Sequence, residues 1–165
     1  MKYINNINNN NNNPLSKLSI ILSILLLLCS CSSNNSNNNT KQVISTPNAP
    51  SAVGPYNQAI IYDNIVYCSG QIAIDPTTNE LVESNIETQT NQVFNNIKAL
   101  LEASGSSLSK VLKVNVYLTN INDFSTVNKI YETYFKDTDY PARSCVEVSN
   151  LPKGALIEIE VTAYK

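Results

Sequence analysis

The sequence predicts an α+β domain: one mixed sheet with both of its helices on one face. Three observations predict it. The composition shifts near Lys41 from asparagine-rich tracts to alternating apolar and polar residues, leaving a domain of about 125 residues. Period-two segments, read as strands, occur before, between and after two segments with helical periodicity. The resulting order is β, β-hairpin, α, β, α, β, β, which places helices beside a sheet.

The chain has 165 residues, and the first forty read as address and tether. Residues 1–30 combine an asparagine-rich lead, including NNNNNN at 8–13, with the apolar run LSIILSILLLL at 18–28. That run is too short to span a bilayer as a stable helix and suits a signal-peptide core. LCSC at 28–31 resembles the bacterial lipoprotein signal, with cleavage before Cys31 and lipid attached to that cysteine. Residues 31–40, rich in asparagine and serine, would then be a flexible tether, and 41–165 the folded domain. This predicts an exported protein held at a membrane by lipid. A secreted protein, or a cytoplasmic or organellar one, is the alternative.

Within the domain, QVIS at 42–45 is a short strand, and 46–58 is irregular, with three prolines and a glycine. AIIY at 59–62 and IVYCSGQI at 65–72 flank Asp63-Asn64, a two-residue hairpin signal. Gly70 inside the second strand marks a bulge or a close backbone approach. Ser84 and Glu87 have capping-box spacing, and Ile86, Val93, Phe94, Ile97, Leu100 and Leu101 follow at helical spacing until Gly105. VLKVNVYLT at 111–119 alternates, with Leu112, Val114, Val116 and Leu118 on its apolar face. A second helix starts near Asn122 or Asp123, with a stripe of Phe124, Val127, Tyr131, Tyr134 and Phe135 that also holds Asn128. Strands near 143–149 and 155–164 complete the domain.

Helices on one face leave the other face uncovered, with Lys113, Asn115, Tyr117, Glu158, Glu160 and Tyr164 on it. Solvent or a neighbouring copy covers such a face. The chain has no histidine, which removes histidine general bases, histidine zinc ligands and histidine triads. A net charge of −2 without basic runs argues against nucleic-acid binding. No metal-ligand spacing occurs, and Cys68 and Cys145 read as buried thiols or as a pair. Chemistry therefore falls to arginine, carboxylates, tyrosine, thiol, backbone and water. Arg143 and Cys145 share one face of their strand, as do Glu158 and Glu160 on theirs. Two accounts are open: a cross-strand salt bridge, or a small-anion site with an arginine fork. Tyr56 lies on the irregular loop, and a buried Asn128 amide would need partners.

The stretches PNAPSAVGPYNQAI (47–60), YCSGQI (67–72), NDFSTVNKIYETYF (122–135) and YPARSCVEVSNLPKGALIEIE (140–160) closely resemble the RidA (YjgF-like) family of reactive-intermediate deaminases. The resemblance implies a chorismate-mutase-like fold assembled as a homotrimer, with sites in clefts between subunits. It implies that Arg143 binds the substrate carboxylate and Glu158 positions water. Tyr56 would line the pocket, Asn128 would support it, and Gly70 and Cys145 would offer backbone groups to the ligand. The implied reaction is cofactor-free hydrolysis of 2-imino acids, such as 2-iminobutanoate and 2-iminopropanoate, to 2-keto acids and ammonia. A non-enzymatic trimer that binds small carboxylates, or a chaperone-like one, is the competing expectation. An export signal would also separate the domain from the pyridoxal-phosphate enzymes that release such substrates.

Overall fold

The computed structural model describes residues 40–165, so the expectations for the leader, Cys31 and most of the tether lie outside the described residues. Six strands form a single sheet: β1 (Gln42–Ile44), β2 (Ala59–Tyr62), β3 (Ile65–Cys68), β4 (Val111–Leu118), β5 (Ala142–Glu147) and β6 (Ile157–Tyr164). Their spatial order is β1-β2-β3-β6-β4-β5. All neighbours are antiparallel except β4 and β5, which run parallel. Helices α1 (Ile86–Ala103) and α2 (Phe124–Phe135) complete the α+β arrangement.

The hairpin forms where Asp63-Asn64 predicts it, with Tyr62 opposite Ile65 and Asp63 at φ +53°. α1 starts one residue later than a Ser84 cap requires. Asn85 is the cap, and its side chain accepts hydrogen bonds from the Glu87 and Thr88 N–H groups at 2.9 and 3.1 Å. Asparagine caps as well as serine does, and the shift puts Glu87 at the second helical position, where it cannot close a capping box. Gly105 takes the left-handed conformation (φ +75°) that ends the helix.

The buried face of β4 is Val111, Val114, Val116 and Leu118. Leu112 is instead exposed, because an irregularity between Val111 and Lys113 breaks the alternation there. Asp123 holds the N-cap position of α2, as expected, but its side chain makes no capping bond; Asn120 caps the 3-10 turn at Ile121–Asp123 before it, its side chain accepting from the Asn122 N–H. On α2, Val127, Tyr131 and Phe135 are buried, Tyr134 is half-buried against Phe94, and Phe124 is 37% exposed.

The core lies between the helices and one sheet face. Phe94, Ile97, Leu100, Leu101 and Phe135 are fully buried against Val66, Val114, Leu118, Ile157 and Ile159. Each such side chain contributes about 1.5–3 kcal/mol through removal from water. The other sheet face is not covered by any of the described residues, and exposes Tyr62, Tyr67 and Tyr164 beside the half-buried Asn115, Glu158 and Glu160.

Candidate functional site

The irregular loop 46–58 is fixed by one buried side chain. The Gln58 amide nitrogen lies 3.0, 3.1 and 2.8 Å from the carbonyl oxygens of Thr46, Ala49 and Pro50, and its oxygen accepts from the Thr46 N–H at 2.7 Å. A loop without ladder partners thereby satisfies its backbone, and Tyr56 is presented on a rigid support. The loop forms one wall of a cleft of about 320 Å³ whose lining includes Tyr56, Gly70, Lys153 and Glu158.

β3 ends at Cys68, earlier than the alternation through Ile72 predicts. Pairing resumes at Gln71, which exchanges hydrogen bonds with Ile159 at 2.8 and 3.0 Å. Gly70 sits in that gap because Glu158 lies against its backbone: a β-carbon there would land on Glu158 Oε1, with Cδ only 2.8 Å away. Burial, and then the neighbouring Glu160, push the Glu158 carboxyl above the usual carboxylate range. Among the described residues Glu158 has no hydrogen-bond partner, whereas Glu160 accepts from Asn115 Nδ2 at 2.6 Å and from the Tyr117 hydroxyl at 3.2 Å.

Arg143 occupies a second cleft, of about 290 Å³, with Asn128, Tyr131, Glu132, Tyr140 and Pro141. Its guanidinium carbon stands 4.5 Å from the Tyr131 ring centroid and 5.5 Å from that of Phe124. Among the described residues the guanidinium makes no ion pair and no hydrogen bond; the one ion pair there, Lys98–Glu102 at 3.9 Å, lies on the surface of α1. Asn128 is half-buried at the edge of this cleft rather than sealed in the core, and its amide has no partner among the described residues. Cys145 is half-buried beside Arg143 on the helix-facing side of β5. Burial pushes its thiol up, against the pull of Arg143, so it is a neutral thiol and not a thiolate nucleophile at neutral pH. Glu147, on the same face, accepts from the Ile121 N–H at 2.7 Å and ties β5 to the turn before α2.

The register overturns the cross-strand salt bridge. Arg143 lies beside Val114 and shares its core-facing side, while Glu158 and Glu160 lie beside Tyr117 and Asn115 on the open face. β4 separates the two strands. From the strand spacing and the register offset, the α-carbons of Arg143 and Glu158 are about 14 Å apart. The described residues thus make two half-sites, one cationic and one carboxylate-bearing, on opposite sides of one sheet. Tyr56, Gly70 and Glu158 belong to one; Asn128, Arg143 and Cys145 belong to the other. Cys68 and Cys145 are free thiols, and three strand spacings alone hold them about 14 Å apart across the sheet, beyond the reach of a disulfide even before their register offset is added. The pattern of residues gave no functional reading of Gln58, Tyr131 or the Asn115–Tyr117–Glu160 cluster. Tyr131 carries only the periodicity of a core stripe, and nothing local shows that its ring meets a cation.

Comparison with known proteins matches residues 46–165 to the family model described as endoribonuclease L-PSP. A RutC family protein from Pyrococcus horikoshii is 55% identical over 125 residues, 76% of this chain and 98% of that protein. The human protein named 2-iminobutanoate/2-iminopropanoate deaminase is 46% identical over 125 residues, 76% of this chain and 90% of its own. Among solved structures, a protein of unknown function of the conserved Rid protein family from Yersinia pestis superposes with a TM-score of 0.76 at 57% identity. That match covers 76% of this chain and all of the other. The chain belongs to the endoribonuclease L-PSP family, the RidA (YjgF-like) family that its sequence resembles.

Proposed function

We propose that the protein hydrolyses 2-imino acids to 2-keto acids and ammonia at sites shared between copies of the chain in a homotrimer. The observation that carries the reading is a pair of half-sites on opposite faces of the sheet: a guanidinium and a half-buried carboxylate, neither with a polar side-chain partner among the described residues. One copy's Arg143 cleft facing a second copy's Tyr56–Gly70–Glu158 cleft supplies both ends of a small acid's binding site. Relatives named 2-iminobutanoate/2-iminopropanoate deaminase, at 43–48% identity, support the substrate class.

In this mechanism Arg143 grips the substrate carboxylate through two parallel N–H bonds. The Asn128 amide and the backbone at Cys145 and Gly70 fix the ligand's orientation, and Tyr56 covers it. Glu158 accepts a hydrogen bond from a water and aims its oxygen at C2 of the protonated imine. The C2–O bond forms as the C=N π pair moves to nitrogen, and the water proton passes to Glu158. That proton then moves to nitrogen; Glu158 takes the remaining hydroxyl proton as the C2=O bond forms and the C2–N bond breaks, and the proton leaves with the expelled ammonia as ammonium. Near-attack positioning of an intrinsically reactive imine supplies most of the acceleration, and the carboxylate favours the cationic imine. The absence of histidine and of basic runs leaves the ribonuclease reading, suggested by the family description, without a histidine acid–base pair or a basic groove for RNA.

The leader adds an address to this reading: cleavage before Cys31, lipid on that cysteine, and the domain held at an exported membrane surface by the 31–40 tether. Mass spectrometry of the mature N-terminus tests that part, and an intact Met1 overturns it. For the activity, keto-acid formation from 2-iminobutanoate generated in situ is measured with residues 41–165. Acceleration that Arg143→Ala abolishes, with assembly unchanged, supports the proposal. Equal rates with and without protein overturn it and favour a carboxylate-binding module.

A further inference from the structure

We infer that Tyr131 is a positioning residue for Arg143, and that the face of its ring, not its hydroxyl, performs the task. The inference rests on the reading of Arg143 as the carboxylate-binding group. Nothing polar in the described residues orients the guanidinium, which makes neither an ion pair nor a hydrogen bond there. Glu132 lines the same cleft but is not paired with it. What holds the guanidinium is aromatic: the Tyr131 ring at 4.5 Å and the Phe124 ring at 5.5 Å.

A guanidinium over a ring face is attracted by the negative face of the π system, and its N–H edge stays free in its own plane. An ion pair would occupy the fork that an incoming carboxylate needs. An aromatic platform holds the cation while leaving all of its donors unused. It also removes rotamer freedom before the ligand arrives, which lowers the entropic cost of binding.

The platform is itself fixed. Tyr131 is 4% exposed and meets Phe94 edge-on at 5.8 Å, Phe135 at 4.6 Å and Tyr140 at 6.5 Å. Its hydroxyl is buried without a hydrogen-bond partner among the described residues. A hydroxyl whose purpose was to anchor Arg143 or the fold would have an acceptor. Burial pushes the phenol up to about 12, with Arg143 opposing and Tyr140 adding, so the group stays neutral and offers the cation only its ring. Asn128, three residues earlier on α2, reaches the same cleft, so one helical turn presents both the platform and an amide.

The test compares Tyr131→Leu, Tyr131→Phe and Phe124→Leu in the full trimer. It measures kcat and KM for 2-iminobutanoate, and calorimetric affinity for 2-ketobutanoate and its uncharged amide. Tyr131→Leu is expected to raise KM and weaken keto-acid binding by about tenfold, from the range for partly desolvated cation–π contacts. The amide's affinity and kcat should change by less than about threefold, because only the carboxylate senses the guanidinium. Tyr131→Phe restores what leucine loses. A loss with phenylalanine as large as with leucine places the effect in the hydroxyl and overturns the inference. So does keto-acid affinity unchanged in Tyr131→Leu while Arg143→Ala abolishes it. If Tyr131→Leu fails to fold, Tyr131→Phe decides: keto-acid affinity within about threefold of the parent supports the ring face, and a loss of about tenfold overturns it, while Phe124→Leu, at the longer 5.5 Å contact, reports the second ring's smaller share. Arg143→Ala with undiminished keto-acid binding instead removes the reading of Arg143 on which the inference stands.

Discussion

Replacing Gly70 with alanine isolates the placement of Glu158. The backbone at Gly70 is not in the left-handed region, so alanine is conformationally allowed and its penalty is local. The added β-carbon would overlap Glu158 Oε1 and stand 2.8 Å from Cδ and 3.2 Å from Cγ. Ordinary carbon–carbon contact needs about 3.5–4.0 Å, so the carboxylate must retreat by about 1 Å. A displacement of that size at a reacting centre costs about a hundredfold in rate, equivalent to about 2.7 kcal/mol of transition-state stabilisation. Glu158 is half-buried beside an open cleft, so it can rotate away and the fold absorbs the change. The assay is keto-acid formation from in situ 2-iminobutanoate, with thermal unfolding and assembly state measured beside it. The expected result is a large fall in kcat with unfolding and assembly close to those of the parent. A Gly70→Ala protein that keeps the full rate would refute the claim that Glu158 works from its position against Gly70.

Three further outcomes follow from the structure. Burial raises Glu158 above the ordinary value of a glutamate, so the acid limb of the pH–rate profile should lie above that value. Glu160→Gln removes a neighbouring negative charge while leaving an amide oxygen for Asn115, so the limb should move to lower pH; an unmoved or rising limb contradicts it. The sign for stability is the reverse of the usual carboxylate case. The raised folded-state value means that protonated Glu158 favours folding, a contribution present below the unfolded value and lost as pH rises through the folded one. Glu160→Gln should therefore unfold at a higher temperature than the parent at neutral pH. Asn85→Ala removes the acceptor for two N–H groups at the start of α1 and should cost about 1 kcal/mol, whereas Ser84→Ala should cost little. Equal denaturant midpoints for the two variants would restore Ser84 as the cap.

The elements were legible because each leaves a local signature. Apolar spacing marked both helices, Asp63-Asn64 marked the hairpin, and Gly105 marked the end of α1. Boundaries failed where neighbouring residues compete for one role. Ser84 and Asn85 both cap, and Val111 and Leu112 both suit a strand end until the irregularity after Val111 selects one. Strand order left no such trace. Alternation shows that Arg143 and Glu158 each have a face, but not that β6 inserts between β3 and β4 and puts the two on opposite sides. Residue type and family resemblance singled out Arg143 and Glu158 as candidates, while their separation within one chain came only from the register. Tyr131 stayed hidden for a related reason. Its periodicity describes what it packs beneath, and its contact with Arg143 joins α2 to β5 through tertiary structure alone.

The most direct test of a site shared between copies is complementation. Arg143→Ala and Glu158→Gln proteins, each inactive alone, are unfolded together in equal amounts and refolded as mixed trimers. A closed ring containing both kinds of chain has one interface that joins an intact Arg143 to an intact Glu158, whatever the ratio in that ring. Random assembly therefore restores about one quarter of the parent's sites, and the account predicts activity near that level. Mixtures that stay as inactive as their components, although mass spectrometry finds mixed trimers, would contradict it.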